Sequence, residues 1–117
     1  YELAGELYKR KGAFDAVFAA NDRMAIGLMQ GLAERGLRAG TDYALVGYDD
    51  SEASRSTLPP LTTVRVPFFE MGRRAAELLV SRIRGEAGNA ADGCARVTLP
   101  TELVVRESSR RGAARRM

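Results

Sequence analysis

Two short apolar runs, each stopping abruptly at a pair of polar residues, constrain the fold of this chain more than any other feature. The first spans residues 16–20 and reads AVFAA, and the second spans residues 43–48 and reads YALVGY. Such runs are typical of strands buried on both faces of a parallel sheet. The helical pattern DRMAIGLMQGLAERG follows the first run directly and ends at Gly36. Its apolar face is formed by Ala25, Leu28, Met29 and Leu32. A strand followed at once by an amphipathic helix is the repeating unit of an α/β fold.

The rest of the chain continues this alternation. YELAGELYKRKG has apolar residues at helical spacing and ends at Gly12, a residue type that commonly terminates a helix. SEASRSTLPP is a polar loop with room for one helical turn, and LTTVRV follows it as a third strand. Pro67 suits the first turn of the next helix, FFEMGRRAAELLVSRIRG, and ARVTL and TELVVRE are two short final strands. We therefore predict an α/β domain with a mainly parallel sheet flanked by helices.

Length and composition are those of one globular domain. The chain has 117 residues, of which 45% are hydrophobic, which is enough for one core and too little for two. No run approaches the roughly 18 apolar residues that span a bilayer. Because the chain begins at Tyr1 inside a helical pattern, without an initiator Met, we expect it to be a fragment of a longer protein.

The positive charge is concentrated at the end of the chain. The net charge is +3, but five arginines and one glutamate give +4 to residues 106–117, so the rest of the chain carries −1. SSRRGAARRM has no aromatic or apolar anchors and is typical of a solvated tail. Its basicity alone would support only salt-sensitive, non-specific DNA binding. We predict a folded body over residues 1–107 and a disordered basic tail over residues 108–117.

Cysteine and histidine usage argues against an enzyme. Cys94 is the only cysteine, so no disulfide can form within one chain. The sequence has no histidine that could activate Cys94 as a nucleophile or bind zinc. Hydrolase and zinc-enzyme functions are therefore disfavoured, and we predict no catalytic residue, metal or cofactor.

Polar side chains follow both apolar runs at the point where each strand should end. Asn21 and Asp22 follow the first run, and Asp49 and Asp50 follow the second. Taken singly, Asn21 or Asp22 is typical of a helix N-cap, and the aspartate pair is typical of a turn. The alternative is a binding site, because ligands of open α/β sheets bind beyond the carboxyl ends of the strands.

An amide and a carboxylate together suit one class of ligand. Asn21 offers two donors and an acceptor, and an aspartate offers only acceptors, a combination that fits the vicinal hydroxyls of a sugar or nucleoside. An aromatic face often completes such a site, and Phe68 or Phe69 could supply it, with core packing as the alternative role. From the residues alone, the candidate ligand contacts are Asn21 or Asp22, Asp49 or Asp50, and Phe68 or Phe69.

Four motifs occur in a fixed order: FAANDRMAIG, VGYDD, PPLTTVR and LPTELVVRES. In this order and spacing they resemble the C-terminal effector-binding region of the lactose-repressor (LacI/GalR) family of bacterial transcription regulators, over residues 14–106. The resemblance implies the C-terminal lobe of a periplasmic-binding-protein-like (type I) fold, incomplete in this chain. It implies effector contacts at Asn21, Asp49 and Phe68, which leaves Asp22 and Asp50 as secondary candidates. It implies neither catalysis nor a cofactor.

The resemblance also implies partners. Family members form homodimers through surfaces that match six residues here: Ala25, Ile26, Met29, Ser54, Arg55 and Thr57. They act in the cytoplasm, sense a small polar effector and bind operator DNA through an N-terminal helix-turn-helix. We recognise neither that domain nor the second lobe in this chain. The helix over residues 68–85 would cross the hinge and pack on the second lobe, which would leave its apolar stripe uncovered here. That stripe comprises Met71, Ala75, Leu78, Leu79 and Ile83.

Two other functions are compatible with the same residues. A periplasmic sugar-binding protein of an ABC importer shares the fold and the cleft, although PPLTTVR and the arginine-rich end are more typical of the regulators. A phosphoacceptor domain could gather Asp22, Asp49 and Asp50 around Mg²⁺. That function usually needs a cation for the phosphoryl group, and the only lysines, Lys9 and Lys11, precede the first strand.

Overall fold

The computed structural model describes residues 1–86 and 96–110, and these form two compact units. Unit 1 joins Tyr1–Arg65 to the stretch that begins at Glu102, and unit 2 is Val66–Thr101. Cys94 and the predicted tail beyond residue 110 lie outside the described residues. Among the helices of the described part, none is long and apolar enough to cross a bilayer.

Helices and strands alternate along most of the chain. In chain order the elements are α1 (Leu3–Lys9), β1 (Ala16–Phe18), α2 (Asp22–Ala33), β2 (Ala44–Val46), α3 (Glu52–Ser56), β3 (Thr63–Arg65), α4 (Phe68–Ile83), β4 (Glu102–Val104) and a 3-10 helix, η1 (Glu107–Ser109). The helix α4 belongs to unit 2, and the other elements belong to unit 1. The helix α3 is the single turn for which SEASRSTLPP has room.

Backbone hydrogen bonds connect the four strands of unit 1 in the order β1, β2, β3, β4. The strands β1 and β2 are parallel. Two isolated parallel bridges, Val46 with Thr62 and Asp49 with Arg65, connect β2 to β3. There the Gly47 N–H donates to the Thr62 carbonyl oxygen, and the Asp49 N–H donates to that of Val64, each at 2.9 Å. The strand β4 is antiparallel to β3. The predicted α/β domain with a mainly parallel sheet is therefore confirmed.

The core of unit 1 lies against the apolar face of α2. The four residues predicted for that face are all buried: Ala25, Leu28, Met29 and Leu32. The helix α1 comes close to α2 at Gly31, where an added Cβ would lie 2.5 Å from the Cβ of Ala4. Tyr43, Leu45 and Leu61 complete the cluster from the sheet side. Full burial of one leucine contributes roughly 1.5–3 kcal/mol, so this contact is a major stabilising element of unit 1.

The strand β1 is less buried than the sequence predicts. Side chains alternate across a strand, so Ala16 and Phe18 share one face and Val17 occupies the other. Val17 packs against the core, whereas Ala16 is exposed and Phe18 is 64% exposed. The prediction of burial on both faces is wrong for this strand, because the described elements cover only the face that carries Val17.

The last described residues differ from the prediction in two places. Residues 96–99 of ARVTL are not in a strand, and only TELVVRE contributes one, β4. The predicted tail does not begin at residue 108, because Ser108 lies in η1 and is buried. The Ser108 hydroxyl donates to the Leu45 carbonyl oxygen at 2.7 Å and accepts from the Thr62 N–H at 2.8 Å. These two bonds fasten the segment after β4 to β2 and to the start of β3.

Unit 2 contains α4, which begins directly after Pro67, as the sequence predicts. It ends at Ile83, and Gly85 follows with a φ of 69°, the left-handed conformation that commonly terminates a helix. No residue of α4 is buried. Ion pairs along the helix connect Glu70, Arg73, Arg74 and Glu77. Most of the predicted apolar stripe is exposed, so its packing on a second lobe stays a prediction.

Candidate functional site

The carboxyl ends of β1 and β2 meet at one edge of the sheet. The Ala19 N–H donates to the Val46 carbonyl oxygen at 2.9 Å, and the Asp22 N–H donates to that of Tyr48 at 2.8 Å. These bonds bring the segment that holds Asn21 and Asp22 beside the segment that holds the aspartate pair. The four polar residues Asn21, Asp22, Asp49 and Asp50 therefore lie at one edge of the sheet, as the sequence predicts, and we call it the carboxyl edge. Their side chains have different environments.

Asn21 caps α2 and keeps its amide nitrogen available. Its backbone is extended, with φ −154°, and its side-chain oxygen accepts from the Met24 N–H at 2.8 Å. Such a cap contributes about 1 kcal/mol. The Asn21 side-chain NH₂ donates to no described residue, and the residue is half-buried. The helix-cap role is therefore present, and it leaves two N–H donors at the edge of the sheet.

Asp22 is a structural residue in unit 1. It is 1% exposed, and its two carboxylate oxygens accept from the Thr63 hydroxyl at 2.6 Å and from the Ser51 N–H at 2.7 Å. The carboxylate thus connects the start of α2 to β3 and to the start of α3. As a secondary ligand candidate Asp22 is wrong, because its carboxylate is buried and both oxygens already accept hydrogen bonds within unit 1.

Asp49 presents a carboxylate without a hydrogen-bond partner among the described residues. The residue is half-buried and has a φ of 114°. A non-glycine residue in such a conformation costs about 1–3 kcal/mol and persists where the surrounding structure fixes it. Its N–H donates to Val64, which holds its backbone against the end of β3. Asp49 is the one member of the aspartate pair whose carboxylate remains available for a ligand.

Asp50 is held by three arginines. Its side chain is 2% exposed and accepts from Arg106 Nη2 at 2.6 Å, from Arg65 Nε at 2.7 Å and, more weakly, from Arg55 Nη2 at 3.5 Å. Burial raises the pKa of this carboxyl, but the hydrogen bonds from Arg106 and Arg65 and their charges outweigh burial and hold the pKa at about 2. Asp50 as a secondary ligand candidate is therefore also wrong.

The engaged carboxylates also exclude the phosphoacceptor arrangement. That function needs Asp22, Asp49 and Asp50 to share one Mg²⁺, whereas Asp22 accepts from neutral donors and Asp50 pairs with arginines. No group of three metal-binding side chains is gathered within the described residues.

Arg106 is a residue of this edge that the sequence analysis missed. Its guanidinium is largely buried and donates to the Leu61 carbonyl oxygen at 2.7 Å and to the Ser54 hydroxyl at 3.0 Å, besides its bond to Asp50. In the sequence its charge falls at the start of the arginine-rich end of the chain. The signal that could have identified Arg106 is its position directly after the apolar residues LVV of TELVVRE. An arginine that follows a strand is more easily buried and paired than an arginine in a solvated tail.

Phe68 lies in unit 2. It is the first residue of α4 and is 56% exposed, so its aromatic face is not used in the core. The neighbouring Phe69 is also exposed. Phe68 belongs to unit 2, whereas Asn21 and Asp49 belong to unit 1, so the contact of Phe68 with a ligand stays a prediction.

Half of the residues predicted for a dimer surface are buried inside this chain. Ala25 and Met29 belong to the core, and Ser54 is the buried residue of α3. Their assignment to a dimer surface is wrong, because these side chains offer no surface to a second chain. Ile26 is half-buried against the core, while Arg55 and part of Thr57 reach the surface.

A separate cavity lies at the opposite, amino end of β1 and β2. It has a volume of about 370 Å³ and is lined by Lys11, Gly12, Phe14, Asp15, Leu37, Asp42 and Tyr43. The Tyr43 hydroxyl is buried without a hydrogen-bond partner among the described residues. Burial, with a smaller effect of the Asp42 charge, raises the pKa of Tyr43 to about 12. This cavity lacks the pair of Asn21 and Asp49, so the candidate site remains the carboxyl edge.

The sequence of this chain is similar to those of HTH-type transcriptional regulators and operon repressors. The profile of the family described as periplasmic binding protein-like domain matches residues 3–109. The HTH-type transcriptional regulator CelR of Thermobifida fusca is 45% identical over 103 residues, which cover 88% of this chain and 29% of CelR. The lactose operon repressor of Rhizobium radiobacter is 38% identical over 114 residues, covering 97% of this chain and 96% of that protein. The chain spans only about a third of the length of CelR and of the PurR repressor of Haemophilus influenzae.

Structural comparisons agree with the sequence matches. A complex of CelR with cellobiose superposes with a TM-score of 0.82 at 43% identity, covering 91% of this chain and 31% of that chain. A lac repressor dimer bound to operator and to the anti-inducer ONPF has a TM-score of 0.80 at 34% identity, covering 93% and 36%. The neighbours thus include one chain bound to a sugar and one dimer bound to DNA.

Proposed function

The chain belongs to the periplasmic binding protein-like family, among the LacI-type transcriptional regulators, and from this premise we propose that it is the effector-sensing part of such a regulator. One observation carries the proposal. At the carboxyl edge, Asn21 keeps two N–H donors and Asp49 keeps a carboxylate, while the other two polar residues are engaged internally.

The effector we propose is a small polar molecule of the sugar or nucleoside class. A carboxylate accepts from two adjacent hydroxyls, and the Asn21 amide donates to their oxygens, which matches a vicinal diol. Phe68 would add an apolar surface for a ring. The cellobiose bound to CelR is a ligand of this chemistry.

The second wall of the crevice is proposed to come from sequence outside this chain. The chain spans about a third of CelR and PurR, and a crevice between two lobes needs both lobes. We also propose that operator DNA is bound by a helix-turn-helix outside these residues. The protein is proposed to act in the cytoplasm. We propose no enzymatic activity.

The matches favour a regulator over the importer component. The relatives named above are HTH-type regulators and operon repressors. We propose that the protein acts as a homodimer, as the lac repressor does in its operator complex. Ile26, Arg55 and Thr57 are the residues of the predicted surface that remain accessible to a partner.

Calorimetric titration of the protein that includes the proposed second lobe with cellobiose, lactose, ribose and adenosine tests the ligand class. We expect at least one probe to bind, and Asn21→Ser and Asp49→Asn to weaken it by about tenfold each, since each removes one set of polar contacts. Serine can still cap α2, so the first variant isolates the amide. Glu6→Gln, an exposed change on α1, is the matched control. Binding that is unchanged in both site variants would refute the assignment.

A further inference from the structure

Two consecutive non-glycine residues, Asp49 and Asp50, have φ angles of 114° and 53° at the end of β2. Conformations of this kind are unfavourable for residues with a side chain, and they persist only where neighbouring contacts fix them. A binding residue that sits in such a turn needs a structural support. The contacts of Asp50 show what provides it.

The Asp50 carboxylate is bound from two sides by charge-assisted hydrogen bonds. Arg106 binds one oxygen at 2.6 Å and Arg65 binds the other at 2.7 Å. The Asp50 N–H donates to the Thr63 hydroxyl at 3.2 Å. The residue next to the candidate ligand group is therefore fixed at both its side chain and its backbone.

The arginines are themselves held in place. Arg106 donates to the Leu61 carbonyl oxygen and to the Ser54 hydroxyl. Arg65 binds Glu102 at 2.9 Å, across the pair formed by β3 and β4. A guanidinium that donates to several fixed acceptors has few alternative positions. Asp50 is consequently attached to α3, β3 and β4, and none of these attachments uses the Asp49 carboxylate.

We infer that Asp50 and Arg106 are positioning residues for the ligand site, which hold the turn that presents the Asp49 carboxylate before a ligand binds. This inference rests on the proposed function of Asp49. A preformed turn avoids the ordering cost that a flexible segment would pay on binding. Asp50 and Arg106 therefore contribute to affinity without touching the ligand.

Amide hydrogen exchange of the purified protein, without ligand, tests the positioning. Arg106→Met should lower the protection of the Asp49 and Asp50 amides by about tenfold, the size of a typical coupling within one network. The Ala19 amide, which bonds across β1 and β2, should stay unchanged and thereby show an intact sheet. Arg106→Lys, which keeps the charge and loses the fork, should give a smaller effect. Arg74→Met removes an exposed, paired arginine from α4 and is the matched control.

Unchanged protection of both aspartate amides in Arg106→Met would overturn the inference, whatever the ligand. A loss that extends equally to Ala19 would also overturn it, because Arg106 would then support the whole sheet and not the turn. These two outcomes need no effector, so they are distinct from a failure of the proposed function. That failure would appear as wild-type protein that binds none of the four probes.

Calorimetric titration with the probe that binds completes the test. Arg106→Met should weaken binding by about tenfold in the wild-type background and by much less in the Asp49→Asn background, since the effect acts through Asp49. Asparagine tolerates a positive φ, so this background removes the charge without changing the turn. An equal loss in both backgrounds would show a general structural role and overturn the inference.

Discussion

The variant Asp50→Asn should make the stability of this protein less dependent on pH in the acid range. The carboxyl group of Asp50 has a pKa of about 2 in the folded protein, against an ordinary value of 3.8. One pKa unit corresponds to about 1.4 kcal/mol, so ionised Asp50 contributes roughly 2 kcal/mol to the free energy of unfolding. The Asp50 side chain is 2% exposed, but its partner Arg65 is 45% exposed, so solvent screening makes this figure an upper bound.

The direction of the effect follows from proton binding. Between the two pKa values the unfolded chain binds a proton at Asp50 and the folded protein does not, so acid favours unfolding. The contribution is fully present above the unfolded pKa and is lost as the pH falls from about 5 to about 2. Asparagine does not titrate. The advantage of the wild type over the variant should therefore shrink by up to about 2 kcal/mol as the pH falls from 7 to about 2.

Urea unfolding followed by circular dichroism, at several pH values from about 7 to about 2.5, measures this difference. Other carboxyl groups titrate in the same range, but they are common to both proteins and cancel in the comparison. Glu6→Gln removes an exposed carboxylate from α1 and should leave the curve of stability against pH nearly unchanged. A wild-type advantage that stays constant over the whole range would refute the reasoning, because it would show that the ionised form of Asp50 is not what stabilises the fold.

Three further substitutions test contacts of unit 1 by urea unfolding. Asn21→Ala should lower stability by about 1 kcal/mol and Asn21→Ser by much less, and equal losses would contradict the cap. Gly40→Ala should cost about 1–3 kcal/mol more than Gly12→Ala, since both glycines have positive φ but only at Gly40 would the new Cβ come within 2.5 Å of the Glu107 carbonyl oxygen. Ser108→Ala should cost about 1–3 kcal/mol, because it leaves a buried N–H and a buried carbonyl oxygen without partners; a neutral result would show that water replaces the hydroxyl.

The fold was predictable where the pattern is local. The apolar face of α2 repeats over three turns and ends near Gly36, so its burial follows from the sequence alone. The same helix shows the limit of such patterns. Ala25 and Met29 were assigned both to the core and to a dimer surface, and only packing decides between these roles. Exposure of Phe18 also could not be predicted, because an apolar run does not reveal which face has a neighbour.

The location of the candidate site could be predicted from the sequence, but the hydrogen-bond partners of its polar side chains could not. Four polar residues after two strands mark the edge, but their partners are distant in sequence. Thr63 is 41 residues from Asp22, and Arg106 is 56 residues from Asp50. A local pattern carries no information on contacts of this separation. It therefore could not distinguish Asp49, whose carboxylate is free of the described residues, from its neighbour Asp50.

The two-part construction of unit 1 has a consequence for the order in which the protein is made. Its sheet is completed by β4, and η1 fastens that end to β2, yet the whole of unit 2 is synthesised between β3 and β4. A nascent chain that has emerged as far as Arg65 has no β4 to cover β3 and no Arg106 to neutralise Asp50. Contacts between segments so far apart form late, and an uncovered strand edge is prone to pair with other chains. We therefore expect unit 1 to be most prone to aggregation on the ribosome in the interval after β3 has emerged and before β4 has.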